Sequence, residues 1–334
     1  MTGTQRTERP LLGLTLGDPA GIGPEVALKA IAEPEVRASA RLVIIGPGSL
    51  RPDAIPAVPG PDAVLDLGWL ETPGPASWEM GRAQAECGRA ALAALERGAA
   101  LARAGALGAL VTGPVSKEAL HLAGERVEGQ TELLARWDGA ERCQMLAVAG
   151  ELRVLLLTRH MPLAAALAEI TTARVLEHLE LLHATLERFG GARPRLALAG
   201  LNPHAGESGI LGSEEGRVLA PAVAAARERG LDVQGPLSPD TVFLQAARGR
   251  FDGVLALYHD QAFIPVKLLA PDTGLTVLAG LSYLRVSPVH GTAFDIAGRG
   301  LASHANLTAA LLQAARWARP GSRGSSRADF PGPK

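Results

Sequence analysis

The chain has 334 residues, 47% of them hydrophobic and 20% charged, with 33 basic side chains against 34 acidic ones and a formal net charge of −1. That near-neutral balance argues against nucleic acid as a partner, because phosphate binding is driven by an excess of Lys and Arg. No run of about 18 uninterrupted apolar residues is available to span a membrane.

At about 150 residues per domain the length suggests roughly two domains. Cys87 and Cys143 show no CxxC spacing, so a reducing cytoplasm is expected rather than a disulfide framework. The polar N-terminus MTGTQRTERP lacks the apolar core of a signal peptide. Only four lysines occur, Lys29, Lys117, Lys267 and Lys334, against 29 arginines.

Along the chain, short β-like runs alternate with helical patterns, the signature of an α/β protein with a largely parallel sheet. Leu11–Leu16 and Arg41–Ile45 read as strands, with a helix from Pro24 to Glu33 between them. The Pro-, Gly- and Asp-rich stretch 51–75 reads as irregular. Trp78–Ala104 reads as a long helix feeding a strand at Ala109–Thr112, and another helix opens at Ser116. Gln144–Val148 and Arg153–Thr158 read as a hairpin. Helix 172–189, strand 195–200, helix 214–229 and strand 253–258 follow. Thr276–Val286 reads as a strand interrupted at Gly280, helix resumes at Phe294, and Ser303–Trp317 is the closing helix. The final residues, RPGSRGSSRADFPGPK, read as a disordered tail.

Four features could carry chemistry. Gly17-Asp18-Pro19-Ala20-Gly21-Ile22-Gly23-Pro24-Glu25 lies between strand and helix. It suits an anion at a helix start or a tight turn equally well, and it is not the dinucleotide fingerprint. In Val111-Thr112-Gly113-Pro114-Val115-Ser116-Lys117, Ser116 can cap a helix while Lys117 meets a phosphate or carboxylate. Three histidines, His160, His204 and His259, each follow a predicted strand. Three imidazoles converging from strand ends make an open metal site, with Asp260 and Glu207 available to orient a ring. His121, His178, His183 and His304 lie on helices or near a cap and read as structural. Finally, Lys267 and Arg285 supply positive charge, and a lysine beside a divalent cation gives up its proton more readily, which suits a general base. The loop 289–293 follows.

Together GDPAGIGPE, TGPVSK, LNPHAGE, YHDQ with IPVK, and HGTAFDIAGRG resemble the 4-hydroxythreonine-4-phosphate dehydrogenase family of vitamin B6 biosynthesis, from about Leu12 to Ala315. The resemblance implies a two-domain α/β fold like isocitrate and isopropylmalate dehydrogenases, with a cleft between the domains and no Rossmann fingerprint. Motif positions then suggest residues 1–128 with 300–320 as one domain, 129–299 as a second carrying metal ligands and dimer contacts, and 321–334 as the tail. It implies a homodimer that uses NAD or NADP and binds a divalent metal, typically zinc; three imidazoles also suit cobalt or nickel, and magnesium is a further alternative. His160, His204 and His259 match the metal positions, with His259 of the partner subunit crossing into the site.

Substrate contacts carry over to Thr131, Lys267 and Arg285. Gln130 stands where the family has histidine, Thr276 where asparagine is usual, and Val289 where aspartate is expected before His290. The implied reaction oxidises 4-phosphohydroxy-L-threonine and decarboxylates the product. Lys267 serves as base with Asp260 beside it, and Lys117, Thr131 and Arg285 hold the acid end. Siblings acting on threonate or erythronate 4-phosphate or a related diol acid, and a non-catalytic metabolite-binding paralogue, are the alternatives.

Overall fold

The computed structural model describes residues 9–189 and 193–319; the predicted tail at 321–334 lies outside them. They divide into two compact units, residues 9–143 with 275–319 and residues 144–189 with 193–274.

The first unit contains β1 (Leu11–Thr15), α1 (Gly23–Ala32), α2 (Pro34–Ser39), β2 (Arg41–Pro47), β3 (Leu67–Thr72), α3 (Ala85–Arg103), β4 (Ala109–Thr112), α4 (Lys117–Leu122) and α5 (Gln130–Asp138). The chain returns to it with β10 (Leu275–Ala279), β11 (Arg285–Pro288) and α11 (Ala305–Ala318). Its strands run in the order β3-β2-β1-β4-β11-β10. All neighbours are parallel except β10, which is antiparallel to β11. Every residue of β1 and β4 is buried, as expected of parallel strands covered on both faces. The alanine-rich α3 presents Ala94, Leu95 and Ala99 to Val43, Ile45 and Leu110. Each fully buried leucine or isoleucine there contributes on the order of 2 kcal/mol.

The second unit contains β5 (Gln144–Ala149), β6 (Leu152–Leu156), α6 (Leu163–Ala168), α7 (Thr172–Arg188), β7 (Leu196–Ala199) and α8 (Ala220–Glu228), which is entered through a π-turn at Glu215–Leu219. It continues with β8 (Val233–Leu237), α9 (Pro239–Ala247), β9 (Gly253–Ala256) and α10 (His259–Leu269). The strand order is β5-β6-β9-β7-β8, with only β5 and β6 antiparallel. Phe243 and Phe263 fill the core with Val154, Leu156, Ala197 and Val254.

The α/β class and the alternation of elements are as the sequence predicts, with local differences. The stretch 51–75 holds β3, since LGWLET pairs with β2 and buries Trp69 completely. Helix α3 begins at Ala85 rather than Trp78. The segment 276–286 is not one broken strand: Gly280, at φ 98°, turns the chain so that β10 and β11 form an antiparallel pair. Residues 294–300 are turns, and the closing helix starts at Ala305, after His304. The division falls at 143/144 and 274/275 rather than 128/129 and 299/300, because α5 packs on α3 and β11 pairs with β4. Among the described residues no helix is long and apolar enough to cross a membrane.

Candidate active site

In open parallel sheets, loops at the carboxyl ends of adjacent strands share one edge, which is where ligands bind. In the second unit β6, β9 and β7 are consecutive parallel neighbours, and the chain leaving each soon reaches His160, His259 and His204.

Two side chains tie these ends together. Thr158, buried, donates its hydroxyl to the Leu257 carbonyl at 2.8 Å. Gln261, also buried, accepts from Leu257 N at 2.7 Å and donates to the Gly200 carbonyl at 2.8 Å. The His160 and His259 rings consequently lie 5.4 Å apart, centre to centre. His259, the first residue of α10, stacks on Phe263 at 4.6 Å and sets its Nδ1 2.7 Å from Asp260 Oδ1. With Nδ1–H donating to the carboxylate, Nε2 is left with its lone pair open to a proton or a cation. Lys267, two turns further along α10, holds Nζ 5.9 Å from the centre of the same Phe263 ring.

His204 belongs to a different kind of structure. Residues His204, Ala205, Gly206, Glu207 and Ser208 are all left-handed, with φ between 42° and 80°. For non-glycine residues this costs roughly 1–2 kcal/mol each, so surrounding contacts must hold the turn. They do so through Glu215, a buried carboxylate that accepts from Leu201 N at 2.9 Å, Asn202 N at 2.7 Å and Asn202 Nδ2 at 2.9 Å. Burial opposes its charge, but these N–H groups outweigh that and hold its carboxyl below the usual carboxylate range. A Cβ at Gly206 would lie 2.8 Å from Glu215 Oε2, so the glycine leaves the carboxylate undisturbed. His204 itself is exposed. A hollow of about 290 Å³ adjoins both histidine loops, lined by Asn202 and Tyr258 with Leu163 and Leu167 of α6.

One chain therefore pairs His160 with His259. Among the described residues no group of three His, Cys, Asp or Glu side chains is placed to hold a metal ion. The donor set suits a divalent cation as far as it goes, with two imidazoles side by side and one ring oriented by a carboxylate. Glu207, exposed on the left-handed turn, makes no hydrogen bond to an imidazole. The other histidines meet local groups: His121 the Val127 carbonyl, His178 the Arg174 carbonyl, His183 Glu187, His290 the Gly291 carbonyl and His304 Glu33.

In the first unit one sequence-predicted residue, Gln130, meets another, Arg285. Arg285, 4% exposed, donates to Thr112 Oγ1 through Nε at 3.1 Å and Nη2 at 2.6 Å, and to Gln130 Oε1 at 3.3 Å. Gln130 in turn donates to the Gly113 carbonyl at 2.9 Å. Among the described residues no carboxylate pairs with Arg285, and burial lowers its guanidinium to about 10. A desolvated charge without a counter-ion is costly, and an anionic ligand resolves it.

Ser116 caps α4 by accepting from Ala119 N at 3.1 Å. This leaves Lys117 exposed, its Cε 3.8 Å from the position a Gly129 Cβ would take. Thr131 lies in the first turn of α5. Thr276 is buried, with its hydroxyl 2.8 Å from that of Ser287 across the β10–β11 pair.

The GDPAGIGPE segment packs its backbone on the TGPVSK loop. Asp18 N donates to the Pro114 carbonyl at 2.9 Å, and Gly17, at φ 78°, has no room for a Cβ against the same oxygen. Asp18 is fully buried; Oδ1 accepts from Ala20 N, Oδ2 has no partner among the described residues, and burial pushes the carboxyl up to about 6. Thr112, Asn202, Glu215 and Gln261 were not singled out by sequence. Of these, Thr112, Asn202 and Gln261 lie inside the motifs TGPVSK, LNPHAGE and YHDQ, and Glu215 lies in none.

Comparison with known proteins places this arrangement. The family model described as pyridoxal phosphate biosynthetic protein PdxA matches residues 26–314. A 4-hydroxythreonine-4-phosphate dehydrogenase of Geobacter metallireducens is 42% identical over 93% of this chain and 96% of its own. A D-threonate 4-phosphate dehydrogenase of Cupriavidus necator is 42% identical over 92% and 97%. The crystal structure of 4-hydroxythreonine-4-phosphate dehydrogenase from Klebsiella pneumoniae superposes with a TM-score of 0.86 at 37% identity, covering 93% of this chain and 99% of that one. The chain belongs to the pyridoxal phosphate biosynthetic protein PdxA family.

Proposed function

We propose that this chain is a cytoplasmic NAD(P)-dependent dehydrogenase that requires a divalent metal. It oxidises 4-phosphohydroxy-L-threonine to 2-amino-3-oxo-4-phosphooxybutanoate, which loses CO2 to give 3-amino-2-oxopropyl phosphate in vitamin B6 biosynthesis. The observation that carries the reading is the buried, uncompensated Arg285 between Thr112 and Gln130. It calls for an anionic ligand and agrees with a substrate bearing carboxylate and phosphate.

Arg285 binds the acid end with Thr131 and Lys117, fixing where the substrate hydroxyl lies. Lys267 takes the hydroxyl proton at Nζ, and a bound NAD(P)+ would supply the hydride acceptor. Held by His160 and His204 with His259 of the partner subunit, a divalent ion, zinc in the first instance, would supply Lewis-acid stabilisation of developing negative charge on oxygen. Asp260 keeps the His259 ring in the tautomer that offers Nε2.

A homodimer is supported by apolar side chains left exposed in the second unit. Leu163 and Leu167 on α6 and Ile264 and Leu268 on α10 are each 46% or more exposed, at i, i+4 spacing that puts each pair on one helix face.

A second reading, D-threonate 4-phosphate as substrate, is favoured by the two departures from the family pattern. Gln130 directs its amide to Gly113 and Arg285, and Thr276 pairs with Ser287. Neither residue is thereby committed to a substrate amine. Turnover of both phosphates with NAD+ and NADP+, followed as NAD(P)H absorbance before and after chelation, tests the proposal. Chelation is expected to abolish turnover and added zinc or cobalt to restore it. Activity on neither acid in the metal-loaded protein favours the non-catalytic paralogue.

A further inference from the structure

We infer that Glu215 is the positioning residue that fixes the left-handed turn and presents His204 to the metal. The inference rests on the reading of His204 as a metal ligand.

Five consecutive left-handed residues, four of them not glycine, do not form on local preference. The contacts that impose the turn lie at its two ends. On the entry side Glu215 Oε1 receives both Leu201 N and Asn202 N, and Oε2 receives Asn202 Nδ2. One carboxylate thus fixes two successive peptide planes and the side chain two residues ahead of His204. On the inner side Gly206 leaves room for Oε2. On the exit side Leu211 N closes back on the Gly206 carbonyl at 3.1 Å.

Glu215 opens the π-turn into α8, where its negative charge is favoured by the helix start. The turn is therefore tied to a rigid helix rather than to solvent. Glu214, by contrast, touches Asn202 only through Nδ2, from the exposed side. It serves as the control.

The test compares Glu215→Ala, Glu215→Gln, Glu214→Ala and His204→Ala in the full chain, using amide hydrogen exchange over residues 201–212 and Co2+ affinity by visible absorbance. Glu215→Ala is expected to speed exchange of Leu201 and Asn202 and weaken Co2+ binding by about tenfold or more, the range seen when an orienting partner of a metal ligand is lost. Peptides elsewhere should be unchanged. Glu215→Gln keeps one acceptor oxygen, so it should fall between, and it supplies the answer if the alanine variant does not fold. Glu214→Ala should match the wild type.

Wild-type exchange in Glu215→Ala overturns the inference. So does faster exchange with unchanged Co2+ affinity, provided that His204→Ala weakens Co2+ binding. If His204→Ala leaves Co2+ affinity intact, the metal reading itself fails, and the exchange data alone decide whether Glu215 holds the turn.

Discussion

Asp260 Oδ1 stands 2.7 Å from His259 Nδ1, so the carboxylate fixes the imidazole through Nδ1 and leaves Nε2 open. Asp260→Asn keeps the size but loses the charge that orients the ring and raises its basicity. Its Zn2+ or Co2+ affinity is expected to fall by about 10–100-fold, measured by competition with a chromogenic chelator. Wild-type affinity in that variant would show that the pair has no part in metal binding.

A cross-subunit site makes a prediction that a one-chain site does not. If His259 of the partner subunit completes the site, inactive His160→Ala and His259→Ala proteins mixed and re-paired should regain activity, because one of the two sites in each mixed dimer is then intact. Random re-pairing of a two-fold dimer gives roughly a quarter of wild-type activity. No recovery would mean that one chain supplies both histidines, in keeping with the 5.4 Å between their rings.

Thr112 accepts two N–H groups from Arg285 in a buried setting. Thr112→Val removes that acceptor at nearly constant volume, and leaving buried donors unpaired costs about 1–3 kcal/mol. The expected signature is a raised KM for the phosphorylated acid together with a lower melting temperature. Arg285→Lys should lose most of kcat/KM, since an ammonium cannot reproduce the planar fork that meets Thr112 and Gln130 at once. Unchanged kcat/KM in Arg285→Lys would remove Arg285 from the binding machinery.

Asp18 ties stability to pH. Its carboxyl is raised to about 6 by burial, against 3.8 for the exposed group. Between those values the unfolded chain releases a proton that the folded chain retains, so stability falls as pH rises from about 4 to about 6 and stays reduced above it. The gap corresponds to about 3 kcal/mol at most. Asp18→Asn, which can still accept from Ala20 N, should therefore be more stable than wild type at pH 7 and no more stable at pH 4. Urea unfolding at the two pH values decides this; equal differences at both would show that the carboxyl does not titrate in that window.

Much of the architecture could be read from period and punctuation. Helix α7, the β5–β6 hairpin and the placing of three histidines beyond three strands all follow from local pattern. The losses have a common cause, which is that pairing partners far along the chain override local signals. Pro and Gly around residues 56–61 mask β3, whose strand character comes from lying beside β2. The Arg285–Thr112 contact depends on β11 sitting next to β4, a neighbour 173 residues away in sequence. The order β6-β9-β7 explains why His160 meets His259, and nothing in the spacing of the two histidines encodes it. Glu215 carries no mark in the sequence, because a glutamate in the first turn of the predicted helix 214–229 looks solvated, whereas the left-handed turn folds back over it.

Arg285 also makes the melting temperature a gauge of what occupies the protein. Folding buries this guanidinium with no carboxylate partner among the described residues, so an anion that reaches it relieves a desolvation cost that folding imposes. Ligand at a hundred times its Kd adds about 2.7 kcal/mol to stability. Ranking carboxylates, phosphates and neutral polyols by thermal shift would then order them by fit to Arg285 before any turnover assay is run, and would separate a correct anion that is not turned over from one that never binds.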